Sequence, residues 1–191
     1  MLLSVGRLVG QKDHETLVRA FAAIAQPEPD WVLRIVGDGE LRDNIKKLSE
    51  DLSVGDRVEL KGSVAEISQE YLASQLFVMS SRYESFGLAT AEALAHGLPA
   101  IGFADCAGTN VLIEDGHNGV LVEPGQDRVG ALASALSSLM TDPDKRGGLA
   151  AGANSPPQFG LDSVLDAWLV LLSAAAPVGT AIAGKSKVQS R

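Results

Sequence analysis

Two carboxylates eight positions apart, Glu84 and Glu92, bracket the segment Ser81-Arg82-Tyr83-Glu84-Ser85-Phe86-Gly87-Leu88-Ala89-Thr90-Ala91-Glu92, with Phe86-Gly87-Leu88 between them. The second falls about one turn into an expected helix, where a carboxylate can accept two hydrogen bonds at once, as a ribose diol requires. Gly87 lets a phosphate or sugar oxygen approach the main chain, and the helix start near Leu88 offers unpaired N–H groups. Upstream, Arg7 and Lys12 follow the first apolar run. Two cations beside a helix start suit a diphosphate: each charge-assisted hydrogen bond contributes roughly 1.5–3 kcal/mol, and Arg adds a forked geometry that Lys lacks. Together these residue types suit a sugar nucleotide. Each has a plainer alternative. Arg7 and Lys12 are also readable as solvated charges, Glu84 as a solvated loop acid, and Glu92 as a glutamate favoured by the helix dipole, worth about 0.3–1 kcal/mol.

These side chains need a frame, and the apolar patterning predicts one. Leu2 to Val5, Trp31 to Val36, Arg57 to Leu60, Leu76 to Ser80, Pro99 to Phe103 and Gly119 to Val122 read as strands. Between them, Leu17, Phe21 and Ile24 share one helical face, and Leu41, Ile45, Leu48 and Leu52 another. Further helices are expected over Glu66 to Ser74, Leu88 to His96 and Val129 to Met140. Strands alternating with helices through short loops imply right-handed crossovers and a parallel sheet covered on both faces, a doubly wound α/β fold of about six strands. In such a sheet ligands bind beyond the carboxyl ends of the strands, where the strand order reverses. With the order 3-2-1-4-5-6, Arg7, Lys12, Glu84 and Glu92 share one crevice.

After Met140 the pattern weakens through Thr141-Asp142-Pro143 to Pro156-Pro157, then returns as a helix from about Leu161 to Leu172 that is expected to dock back. The domain is therefore drawn over residues 1–174, and residues 175–191, small and polar, as a disordered tail.

Other features exclude more than they propose. A net charge of −8 leaves no basic stripe for a phosphate backbone, which argues against nucleic acid. A single cysteine and the lack of a secretory leader suit the cytoplasm. The longest apolar stretch, Val164 to Val178, is too short and interrupted to span a membrane, although a peripheral membrane contact stays open. No two of the three histidines have metal-ligand spacing, so no bound metal is expected. His96 before Gly97 reads as a helix end, His117 as a turn residue, and Cys106 as a small residue in a packed loop. Gly37-Asp38-Gly39 reads first as a strand-to-helix turn, because Arg42 stands where a dinucleotide fingerprint needs glycine.

Val5-Gly6-Arg7-Leu8 with Gln11-Lys12-Asp13, Ile35-Val36-Gly37-Asp38-Gly39, Leu60-Lys61-Gly62-Ser63-Val64, Ser81 to Gly97 and Ile113 to Val122 occur here in order. Taken together they resemble the C-terminal, donor-binding domain of retaining glycosyltransferases of the GT-B architecture, the glycosyl transferases group 1. The resemblance runs from Leu2 to about Met140, with a weaker echo around Phe159 and Trp168. It implies metal-independent transfer of a sugar from a nucleotide diphosphate to an acceptor hydroxyl, with retention at the anomeric carbon. By that resemblance Arg7, Lys12, Gly87 and Leu88 hold the diphosphate, Glu92 the ribose hydroxyls, and Gly62, Ser63 and Val64 line the base. Phe86 contacts the sugar, and Glu84 faces it as nucleophile or as the group stabilising an oxocarbenium-like transition state. No cofactor is implied beyond the donor, a UDP-sugar being favoured over a GDP- or ADP-sugar. In such enzymes the acceptor domain comes first in the chain. Here residue 1 falls almost on the first donor-half strand, so the acceptor site is expected on a missing N-terminal part or on a partner chain. A nucleotide-sugar-binding module without turnover and half of a sugar-nucleotide epimerase are the competing readings.

Overall fold

Leu2-Leu3-Ser4-Val5 and Leu76-Phe77-Val78-Met79 lack polar alternation, as strands buried on both faces must. The computed structural model describes residues 1–27, 29–153 and 161–175. Its strands are β1 (Leu2–Val5), β2 (Leu33–Val36), β3 (Val58–Gly62), β4 (Leu76–Met79), β5 (Ala100–Phe103) and β6 (Gly119–Val122). They form one six-stranded sheet in the order β3-β2-β1-β4-β5-β6, paired in parallel throughout. The order reverses between β1 and β4, which are neighbours at the centre.

The helices α1 (His14–Ile24), α2 (Arg42–Asp51) and α5 (Arg128–Met140) bury their apolar sides in one cluster with Leu2, Leu33, Ile35 and Val78. The opposite face of the sheet carries Leu3, Phe77 and Met79 in a second cluster, with Tyr71 of α3 (Ile67–Leu72) and Ala93 and Leu94 of α4 (Leu88–Ala95). Arg57 closes the edge of the first layer: its guanidinium donates to the carbonyls of Ala25 and Trp31 and lies 5.3 Å from the centre of the Phe21 ring.

Most expected elements are found within one or two residues of their expected ends, and two differences have a physical cause. β3 continues to Gly62, because Gly37 N–H donates to Gly62 O at 2.9 Å and a register shift between Ile35 and Val36 takes up the slack. The stretch after Met140 forms a further helix, α6 (Pro143–Gly152). Gly147 and Gly148 each cost about 1 kcal/mol in a helix interior and hid the periodicity. Tertiary contacts override them. Asp142 caps Lys145 N–H at 2.8 Å, Leu149 is buried, and the Arg146 guanidinium reaches the carbonyls of Leu139 and Met140 over the Trp31 ring.

The chain divides into two units, Met1–Ser155 and Pro156–Arg191. Described in the second is the helix α7 (Leu161–Ala175), which matches the expected one and runs three residues further. Of the expected tail over residues 175–191, Ala175 ends α7 and residues 176–191 lie outside the described residues, as do Pro156-Pro157 and Phe159. No described helix is long and apolar enough to cross a membrane.

Candidate functional site

The loops leaving β1 and β4 are stitched together at the reversal point of the sheet. Ser80 Oγ donates to Lys12 O at 2.8 Å, Arg82 N–H to Gln11 O at 2.9 Å, and Gln11 Nε2 to Tyr83 O at 2.7 Å. All three end on a backbone carbonyl, one donated by a backbone amide and two by the side chains of Ser80 and Gln11, and together they hold the two loops in one register. Lys12 and Glu84, 72 positions apart, meet as a consequence: Lys12 Nζ lies 2.5 Å from Glu84 Oε1. Ser81, wholly buried, donates its hydroxyl to the same oxygen at 2.6 Å, and Glu84 itself is 8% exposed. A buried carboxylate must be paired, and here one cation and one hydroxyl do it.

A second group of charges lies beside this pair. Asp13 adopts a left-handed conformation (φ 49°) and caps α1 by accepting from Thr16 N–H at 3.4 Å. Its other oxygen sits 2.9 Å from Arg82 and 3.7 Å from Arg128. The Arg128 guanidinium lies 3.5 Å from the centre of the Phe103 ring, donates to both carboxylate oxygens of Asp105, and reaches Ser81 O at 3.1 Å. It thereby ties α5 to the loops after β1, β4 and β5 at once. A planar fork suits that task where a lysine would not. Nothing in the spacing of Asp13, Ser81, Asp105 or Arg128 announced this layer; the only signal was an acid followed by an arginine at the start of α5.

Gly87, whose φ of 86° is left-handed, caps the start of α4. The amides of the first turn precede the first intrahelical bonds, leaving donors at the mouth of the crevice. One turn on, Glu92 is half-buried, and its Oε2 accepts from the Tyr71 hydroxyl at 2.9 Å. Glu92 O lies 2.7 Å from His96 Nδ1, which makes that nitrogen the protonated one, and the His96 ring stacks on Tyr71 with centroids 5.0 Å apart. His96 and Gly97 end the helix as expected, Gly97 at φ 73°.

Of the other expected site residues, Arg7 is exposed beyond β1 and makes no side-chain hydrogen bond or ion pair among the described residues. Gly62, Ser63 and Val64 follow β3, with Gly62 at φ 71°. Phe86 and Leu88 are exposed, at 39% and 65%. The structure therefore joins Lys12 with Glu84 directly, and leaves Arg7, Glu92 and the Gly62–Val64 turn as separate points around the same end of the sheet. Gly37-Asp38-Gly39 is a tight turn against the β1 loop: a Cβ on Gly37 would lie 2.1 Å from Gly6 O. Cys106 is buried and accepts from the Thr109 hydroxyl at 3.3 Å. Among the described residues no three His, Cys, Asp or Glu side chains converge as a metal site.

A cleft of about 620 Å³ opens between α1 and α2 and shares Asp13 and Arg82 with the crevice. His14, 3% exposed, lines it, and its Nδ1 has no hydrogen-bond partner among the described residues. Burial, reinforced by the Lys12 charge, lowers its pKa from 6.5 to about 4. The unfolded chain therefore binds the extra proton first. The contribution of this neutral histidine is complete above about pH 6.5 and is lost as pH falls toward 4, to a total on the order of 3 kcal/mol. Replacing His14 with Phe is expected to narrow the gap in Tm between pH 7 and pH 5; an unchanged gap would show that His14 does not carry this acid sensitivity.

The fold and the crevice define a Rossmann-like half of the GT-B type. The family model for glycosyl transferases group 1 matches residues 1–154, and the chain belongs to that family. Over 175 residues it is 34% identical to the lipopolysaccharide core biosynthesis glycosyltransferase LpsE of Rhizobium meliloti, covering 91% of this chain and 49% of that protein. An uncharacterized glycosyltransferase of Haemophilus influenzae is 29% identical over 172 residues, covering 90% of this chain and 48% of its own. Among solved structures, the pneumococcal O-GlcNAc transferase GtfA in complex with UDP and GlcNAc superposes with a TM-score of 0.81 at 27% identity, over 91% of this chain and 35% of GtfA. The chain spans about half the length of the two curated relatives and about a third of GtfA.

Proposed function

We propose that this chain is the donor-binding half of a retaining, metal-independent glycosyltransferase that takes its sugar from a nucleotide diphosphate, a UDP-sugar in first place. The observation that carries this reading is the meeting of Lys12 and Glu84 at 2.5 Å across the reversal point of the sheet. Around that pair stand an exposed arginine, Arg7, and the first-turn amides of α4.

The chemistry follows from charge. When the bond between the anomeric carbon and the diphosphate breaks, negative charge grows on the departing oxygen and positive charge on the sugar ring. Arg7, Lys12 and the amides of Leu88 and Ala89 stabilise the first, standing in for the metal ion that other transferases use. Glu84, paired with Lys12, stabilises the second, and the acceptor oxygen bonds to the same face of the ring that the diphosphate leaves, its proton passing to the departing phosphate oxygen. Glu92 holds the ribose, Gly62, Ser63 and Val64 line the base, and Phe86 contacts the sugar. The UDP in the GtfA complex supports the choice of base. The relationship to LpsE supports a product in glycoconjugate or polysaccharide assembly. A second domain or a partner chain supplies the acceptor site and excludes water, as the share of the relatives' length covered here implies.

Calorimetric titration with UDP-, GDP- and ADP-sugars tests the reading. Saturable binding of one of them is expected, weakened by Arg7→Ala. Failure to bind any of the three would remove the donor site from this chain.

A further inference from the structure

We infer that Tyr71 is a positioning residue for nucleotide recognition, holding Glu92 so that the chain selects ribose over deoxyribose nucleotides. The inference rests on the assignment of Glu92 to the ribose hydroxyls and adds to it a residue from a different helix that never touches the nucleotide.

A glutamate on a helix surface has three rotatable bonds, and ordering them upon binding consumes affinity. Glu92 meets that demand before any ligand arrives. Its Oε2 is held by the Tyr71 hydroxyl at 2.9 Å, while Oε1 has no partner among the described residues. The restraint is rigid at its other end. Tyr71 is 1% exposed, its ring lies 6.1 Å from Phe77 and 5.0 Å from His96, centroid to centroid, and its hydroxyl also reaches Ala89 O at 3.3 Å. His96 in turn bonds the Glu92 carbonyl, so backbone and carboxylate of the same residue are gripped by one stacked pair of rings.

Burial, reinforced by the adjacent carboxylate, raises the Tyr71 pKa above its usual value, so the phenol is a donor at neutral pH. A hydroxyl that donates to Oε2 fixes the carboxylate and leaves Oε1 to accept from the sugar. A freely rotating carboxylate would not be fixed in this way. The contact is also selective in kind, because a hydrogen bond that a deoxyribose cannot make leaves a desolvated carboxylate oxygen unpaired.

The test compares UDP with 2′-deoxy-UDP and 3′-deoxy-UDP by calorimetry on the full chain, for wild type, Tyr71→Phe and Glu92→Ala. Wild type is expected to favour UDP over at least one deoxy analogue by about 10- to 100-fold, the worth of one charge-assisted hydrogen bond. Tyr71→Phe keeps the ring and its stacking and is expected to reduce that ratio about three- to tenfold, with affinity for the deoxy analogue nearly unchanged. A merely structural tyrosine would weaken all three ligands together and leave the ratio alone, which would overturn the inference. Glu92→Ala separates the two levels. If it leaves the wild-type ratio intact, the ribose assignment of Glu92 fails. If it abolishes the ratio while Tyr71→Phe preserves it, Tyr71 alone is excluded. Thermal unfolding checks that each variant is folded, and Tyr71→Met, equally without a hydroxyl, is expected to show the same loss of ratio.

Discussion

Lys12→Ala is expected to weaken UDP binding by about 10- to 100-fold and to destabilise the fold at the same time. The first effect is the loss of a charge-assisted hydrogen bond to phosphate, roughly 1.5–3 kcal/mol, at about 1.4 kcal/mol per tenfold. The second comes from Glu84. With Lys12 gone, a carboxylate that is 8% exposed keeps only the Ser81 hydroxyl, and its charge then faces an incoming diphosphate without a counter-ion. Breaking a buried pair by removing one partner typically costs about 3–5 kcal/mol; the Lys12 side chain retains 18% exposure, which places this case toward the lower end. Adding Glu84→Gln removes the orphaned charge, so the double variant should recover most of the stability while remaining a poor binder. Urea denaturation and calorimetry on the two single variants and the double variant measure both quantities. Additive stability losses would mean that Lys12 and Glu84 do not depend on each other.

Gly108→Ala is the second large effect, and it acts through backbone alone. The loop after β5 reaches back so that Gly108 N–H donates to Glu84 O at 3.1 Å. A Cβ on Gly108 would lie 2.5 Å from that oxygen and 2.9 Å from the Glu84 carbonyl carbon and Cβ. None of those atoms is the end of a flexible side chain. The loop must therefore back away from Glu84, at a cost of about 1–3 kcal/mol as for other overpacked sites. It takes with it the support of the turn into α4, since Gly108 O also stands 3.6 Å from the Cβ position of Gly87. Nucleotide-sugar binding is expected to fall at least about tenfold, because positioning error in a charged site is multiplied through every contact. Gly148→Ala is the control. No atom lies within 4 Å of its Cβ position in α6, and alanine there should stabilise by about 0.5–1 kcal/mol. If Gly108→Ala bound and unfolded like the control, the loop after β5 would have no part in holding Glu84.

These two residues also mark how far the chain was legible before folding. Lys12 and Glu84 were placed in one crevice from sequence, because β1 and β4 are recognisable as apolar runs and right-handed crossovers leave few arrangements in which they are not neighbours. That they would touch, sharing Glu84 Oε1 with Ser81, was not legible, since it depends on the backbone bonds between the two loops. Gly108 lies in the loop after β5, and its close approach to Glu84 is a property of two segments that no local pattern links.

Local sequence determined the order of the elements along the chain and the parallel sheet, because apolar periodicity reports burial within a few residues of itself; the reversal point followed only once the common strand order was taken, which the structure has. It also located the acids and cations whose neighbourhood that topology forces. Tertiary structure alone decided which partner each charge takes: Tyr71 for Glu92, Lys12 with Ser81 for Glu84, and Arg82 and Arg128 for Asp13. It also made a helix of Pro143–Gly152, whose glycines argue against one until Asp142, Arg146 and Leu149 are docked. The reason is geometric. A hydrogen bond is decided within a few tenths of an ångström, by the rotation of one helix against another and the exit angle of each loop, and those quantities exist only once the layers have packed.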